Sequence, residues 1–186
     1  KLDIIKENLK EKNKIFYSSI NYYLNHNIKA SILKAIELQQ QNKRNPFINE
    51  MIGNLFFIEG NYKKASINYS QTIDEFIKLN IFPPPNIKLS LAKSLIEIND
   101  EKSLRKSLLI LEELIPIKYN SIYFWKLVGM TADKLGNKPA SMVAIAEEKI
   151  IKKQYEKAKL FASKALKYKN IKTLYKMRAS DIINFK

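Results

Sequence analysis

Apolar and polar residues in this chain do not alternate one by one; they come in long amphipathic bursts separated by short polar turns. From Asn86 the sequence reads "NIKLSLAKSLIEI", breaks at Asn99-Asp100, and resumes as "SLRKSLLILEELIP", where Pro116 predicts the end of the helix. "PASMVAIAEEKIIKK" is followed by "QYEKAKLFASKALKY", in which Tyr155, Ala158, Ala162 and Ala165 keep one helical face small. A last burst, "TLYKMRASDIINF", carries Leu174, Met177, Ile182 and Ile183 at a spacing suited to covering an exposed end. Only Pro83-Pro84-Pro85 demands an extended linker. With four Gly and six Pro in 186 residues, the pattern predicts about ten helices, each antiparallel to its neighbour.

The bursts also repeat. In "MIGNLFFIEGNYKKASINYS" (51–70), Gly53, Gly60, Tyr62, Ala65 and Tyr69 stand at offsets that a helical hairpin requires. Gly53 permits close approach of the second helix, Gly60 suits a left-handed helix end, Ala65 is a small contact, and Phe56 and Tyr69 fill the space between. Thirty-four residues earlier, Tyr22-Tyr23-Leu24 matches Phe56-Phe57-Ile58, and His26 falls opposite Gly60. Ser107 to Ser141 and Leu111 to Ile145 share that spacing, and Trp125, Val128, Gly129 and Gly136 mark another unit. This period resembles the 34-residue tetratricopeptide (TPR) unit. The resemblance implies an all-α, TPR-like right-handed α-α solenoid forming a single domain over residues 1–186. Its expected hairpins are about 12–45, 46–80, 86–118, 122–152 and 140–168, with a capping helix at 172–185.

Composition narrows the chemistry. There is no Cys and His26 is the sole histidine, so neither an H-E-x-x-H zinc site nor a Cys-His or Ser-His pair can be built from this chain. His26 is read as a turn residue in the left-handed region. Glu112-Glu113, Glu147-Glu148 and Asp100-Glu101 are adjacent carboxylates, and neighbours on a helix point about 100° apart, which suits solvated charges better than acid–base catalysis. The scattered glycines make no phosphate loop. The expectation is a non-enzymatic chain with no cofactor and no metal of its own.

The formal net charge of +15 invites a nucleic-acid reading. Yet 30 of the 33 basic residues are Lys, and Lys, Ile and Asn are abundant together, as an AT-rich coding sequence would impose. The cluster Lys149, Lys152, Lys153, Lys157 and Lys159 lacks interleaved aromatics apart from Tyr155 and is read as a solvated face. No apolar run is long enough to span a bilayer.

The expected partner is a protein or unfolded polypeptide held on a concave face lined by the first helix of each hairpin. The inward positions of the repeat select Phe16, Ile20 and Tyr23; Phe47, Glu50, Asn54 and Phe57; Leu89, Lys93 and Ile96; and Tyr123, Lys126, Met130 and Asp133. The Lys/Asn/Arg set with which some co-chaperone repeats clamp a carboxylate cannot be traced.

Three stretches carry a further resemblance. Asn45, Pro46, Glu50, Gly53 and Gly60 in the first; "YFWKLVGMTADKLGNKPASMVAIAEEKIIKKQYEKAKLFASKAL" in the second; and Arg178, Ala179, Asp181 and Ile182 in the ending follow one order. Over residues of about 10–185 this order resembles the TPR-type C-terminal region of bacterial envelope zinc metallopeptidases, the group that includes the β-barrel assembly-enhancing protease. The resemblance implies an accessory, non-catalytic part of a metalloendopeptidase in envelope quality control, docked in cis on a separate domain that holds the zinc. It also implies a periplasmic location. The chain begins "KLDIIKENLKEKNK", without Met or a signal pattern, and reads as a piece of a longer protein. The competing expectation is a freestanding TPR scaffold or co-chaperone, cytoplasmic rather than envelope-bound.

Overall fold

The structure, a computed structural model, describes residues 2–185 and the side chains of residues 10–185. Lys1 and Lys186, the ends of the expected domain, lie outside the described residues. Ten helices and no strand occur among the described residues. They group into two compact units, Lys1–Glu97 and Ile98–Lys186.

The first unit contains α1 (Leu2–Leu24), α2 (Ile28–Gln41), α3 (Pro46–Glu59), α4 (Tyr62–Lys78) and all but the last residue of α5 (Pro85–Ile98). The second contains α6 (Glu101–Lys118), α7 (Ile122–Lys134), α8 (Lys138–Ile151), α9 (Tyr155–Leu166) and α10 (Thr173–Asn184). The expected pair at 86–118 straddles the boundary, so its two helices belong to different units.

One turn, used repeatedly, converts sequence into hairpins. His26, Gly60, Gly136 and Lys153 all adopt positive φ, between 58° and 85°. In each case the next amide (Asn27, Asn61, Asn137, Gln154) donates back to the carbonyl five residues earlier at 2.8 Å, closing the preceding helix in a Schellman turn. Three of those following residues then start the next helix: the side chains of Asn27, Asn61 and Asn137 accept from the amides of Ala30, Lys64 and Ala140. Stop and start signals therefore sit on adjacent residues, which is why the connections are so short. Asn99, at φ 62°, and the N-cap Asp100 carry the same signals.

Small residues set the helix spacing. In the first unit α3 packs on α4 and on α2, and α1 packs on α2, with Ala35 and Ala65 fully buried at these contacts. A Cβ placed on Gly53 would lie 2.9 Å from Tyr69 Cε1, so only glycine admits the tyrosine ring there. In the second unit α8 packs against both α7 and α9, the shared role expected of "PASMVAIAEEKIIKK". Gly129 faces Ala144 across the α7–α8 contact, and Ala158, Ala162 and Ala165 bury one side of α9. Helix α10 lies on α8 and α9 and buries Tyr175, Ala179 and Ile182, the role of a cap.

One boundary differs from expectation. Helix α6 does not stop before Pro116 but runs through it to Lys118. Pro116 has no amide to donate to the Glu112 carbonyl, a loss that its place in the last turn does not lessen; the neighbouring Leu114 and Ile115 are buried, and that packing holds the turn in place.

Candidate functional site

In the first unit, the faces of α1, α3 and α5 enclose two adjoining cavities with three residues in common. The first, about 240 Å³, is lined by Ser19, Ile20, Tyr23, Ser31, Met51, Asn54, Leu55 and Ile58. The second, about 320 Å³, is lined by Tyr23, Asn54, Phe57, Ile58, Tyr69, Ser90 and Lys93. Tyr23, Asn54 and Ile58 belong to both, so the two form one groove. Its first part has apolar side walls, and its second part gathers hydrogen-bonding and cationic groups.

Several polar groups in the groove are positioned by neighbours. The Tyr69 hydroxyl donates to Asn54 Oδ1 at 2.7 Å. Burial pushes its phenol up to about 12, against the opposing pull of a hydrogen bond with Ser90 and with a small further push from the Glu50 carboxylate. Tyr69 is therefore a neutral hydroxyl throughout the physiological range, and it fixes the orientation of the Asn54 amide. The Lys93 ammonium stands 5.2 Å from the centre of the Phe57 ring, a cation–π distance, while Phe57 is edge-on to Tyr62 at 5.3 Å. Glu50 sits half-buried beside the groove, and burial raises its carboxyl above the usual range. Beneath the apolar end, Ser19 and Ser31 exchange hydroxyl-to-carbonyl hydrogen bonds of 3.0 and 2.8 Å, which ties α1 to α2.

Of the residues selected as inward-facing, Ile20, Tyr23, Asn54, Phe57 and Lys93 come together in this groove. Phe16 and Phe47 line a separate depression with Met51, and Phe47 also packs edge-on against Phe76. Leu89 is half-buried, and Ile96, only 2% exposed, belongs to the core. Tyr123, Lys126, Met130 and Asp133 are exposed on α7 in the second unit, where Asp133 accepts from Lys138 at 2.7 Å.

Sequence reasoning missed Met51, Ile58, Tyr69 and Ser90 as groove residues. A signal existed: Met51, Asn54 and Ile58 fall at i, i+3 and i+7, one helical stripe. Tyr69 was expected only to fill space between helices; its ring does so, and its hydroxyl reaches the groove.

The second unit contains a largely buried ionic cluster. Arg178 Nε donates to Glu147 Oε1 at 2.6 Å, and the side chains are 28% and 5% exposed. The guanidinium lies 5.9 and 5.8 Å from the Tyr119 and Trp125 rings, and the Trp125 indole donates to the Tyr119 carbonyl at 2.7 Å. Burial pushes the Glu147 carboxyl up; the Arg178 bond pulls it back, and Asp181 adds a smaller upward push. The Trp-containing helix, the Glu-bearing shared helix and the terminal Arg are thus three parts of one packing arrangement, which anchors the cap. Nearby, Lys172 pairs with Glu112 at 2.5 Å, and burial together with the Glu112 charge raises the phenol of Tyr175.

No group of three His, Cys, Asp or Glu suited to a metal occurs among the described residues, and no described helix is long and apolar enough to cross a membrane.

The chain matches no protein-family profile and no curated protein sequence. Its fold is similar to the crystal structure of a thermophilic TPR protein in Thermus thermophilus, with a TM-score of 0.50 and 12% identity, covering 94% of this chain and 100% of that one. The fold is thus an all-α, TPR-like helical-hairpin solenoid with a capping C-terminal helix. At that identity the likeness concerns fold alone.

Proposed function

We propose that this chain is a protein-interaction domain that holds a segment of another polypeptide in the groove of its first unit. The observation that carries the reading is the continuity of that groove. An apolar stretch (Ile20, Met51, Leu55, Ile58) runs into a polar end where Asn54, Tyr69 and Lys93 are already fixed by their neighbours. Apolar side chains of a bound segment enter the first part, while its backbone and polar groups meet donors and acceptors that need no reorganisation. An unfolded client offers both kinds of group.

Support for the larger role comes from the ordered residues Asn45, Pro46, Glu50, Gly53, Gly60, Trp125 and Arg178–Ile182. On that reading the chain is the accessory part of a zinc metalloendopeptidase in the bacterial envelope. It presents misassembled chains to a catalytic domain that carries the zinc, and the location is periplasmic. Coding sequence upstream of Lys1 that contains H-E-x-x-H and a signal peptide supports this role; an upstream region lacking both favours a freestanding scaffold.

The groove itself is tested by capture of reduced, alkylated α-lactalbumin at physiological salt. Phe57→Ala and Lys93→Glu should each weaken capture by about tenfold while the helical circular dichroism is retained. Undiminished capture by both variants refutes the groove as the binding surface.

A further inference from the structure

The second unit has a surface that the groove does not explain. Residues 98–186 carry 19 basic and nine acidic side chains, a net +10 of the chain's +15, whereas residues 1–97 carry 14 and nine. Within 149–176 there are ten lysines and a single carboxylate, Glu156. A coding bias toward Lys raises lysine everywhere, but it does not strip carboxylates from one segment.

The fold gathers part of this excess on α9. Ala158, Ala162 and Ala165 turn to the interior. At about 100° per residue, the opposite side carries Glu156, Leu160 and, just beyond the last turn, Lys167, with Lys164 and Lys157 along one edge of it. Leu160 is 52% exposed one turn from Glu156 and one turn from Lys164, so the face has an apolar residue near its centre and three lysines against a single carboxylate. Lys164 lies 5.6 Å from the centre of the Phe161 ring. Elsewhere in the unit lysines find carboxylates, Lys152 at Glu148 and Lys172 at Glu112. Among the described residues, no carboxylate pairs with Lys157, Lys164 or Lys167.

We propose that the outer face of α9 docks on an anionic membrane surface, its lysines meeting lipid phosphates and Leu160 seating among the headgroups. Charge complementarity selects an anionic partner, and the position of Leu160 selects lipid. An aliphatic side chain at the centre of the patch gains nothing against a nucleic-acid backbone, which rewards Arg forks and stacked aromatics, and this face has neither. At a bilayer interface the same residue buries apolar area while flexible lysines reach outward to the headgroups.

Vesicle flotation of the whole chain tests this, with phosphatidylcholine alone compared with phosphatidylcholine containing one third phosphatidylglycerol, at low and high salt. The chain should float with the anionic vesicles, stay with the buffer when they are neutral, and release as salt rises. Each lysine contributes roughly fivefold to such partitioning, so Lys157→Gln combined with Lys164→Gln should lower it about 25-fold. Leu160→Ser should remove the part that survives high salt. All three positions are solvent-exposed, so the variants should stay folded, with circular dichroism as the check. Absence of flotation, equal flotation with neutral vesicles, or no loss in the double variant overturns the proposal. So does tighter binding to duplex DNA or to soluble polyglutamate than to the vesicles.

Discussion

Glu147 shows how much one buried side chain constrains. Its carboxyl is drawn above its ordinary value near 4.5 by burial, and the Arg178 bond only partly restores it. A carboxyl raised in this way holds its proton longer in the folded than in the unfolded chain. Its contribution to stability is therefore complete below about pH 4.5 and is lost as pH rises through the folded value. Subtracting the denaturation midpoint of Glu147→Gln from that of the wild type at each pH isolates this effect. The difference should move against the wild type as pH climbs above 4.5 and then level off. A difference that moves in favour of the wild type over the same range would mean that Arg178 dominates and the ion pair is a net stabiliser.

At the scale of helices, the decisive features are turns and close contacts, and most were legible. The left-handed positions at Gly60 and Gly136 follow from glycine, and the one at His26 follows from its alignment with Gly60. Lys153 was hidden, because nothing about lysine announces a positive φ. Pro116 misled for the opposite reason: its missing amide argues for a break, and the burial of Leu114 and Ile115 that carries the helix past it is tertiary packing, which local pattern does not reveal. The α3–α4 contact gives a direct check. Gly53→Ala puts a methyl group 2.9 Å from a Tyr69 ring that is buried and tethered to Asn54, so relief requires moving the ring. The substitution should cost about 1–3 kcal/mol in chemical denaturation. A loss below about 0.5 kcal/mol, the scatter of neutral surface changes, would show that the helices separate easily.

For the molecule as a whole, repeat period predicted fold class well because a 34-residue hairpin fixes helix length, turn position and small-residue contacts together. The site was only partly legible. Ile20, Tyr23, Asn54, Phe57 and Lys93 were found because inward positions of the repeat are a geometric consequence of the hairpin. Ile96 sits at such a position and is core instead, since its neighbours close over it. Tyr69 and Ser90 escaped notice because they contribute to the groove from positions that the repeat assigns to packing. The ending Arg178–Ile182 was noticed for its resemblance, and the structure gives it a physical task, to lock α10 onto α8 through Glu147.

The central claim is that a polypeptide lies along the groove of the first unit. Photocrosslinking tests it most directly, with p-benzoylphenylalanine placed at Ile58, which lines both cavities, and separately at Leu33, which is 69% exposed on α2 and lines neither. Irradiation with reduced, alkylated α-lactalbumin should give a covalent adduct from position 58 and little or none from position 33. Adducts of equal yield from the two positions, or from position 33 alone, would contradict the account.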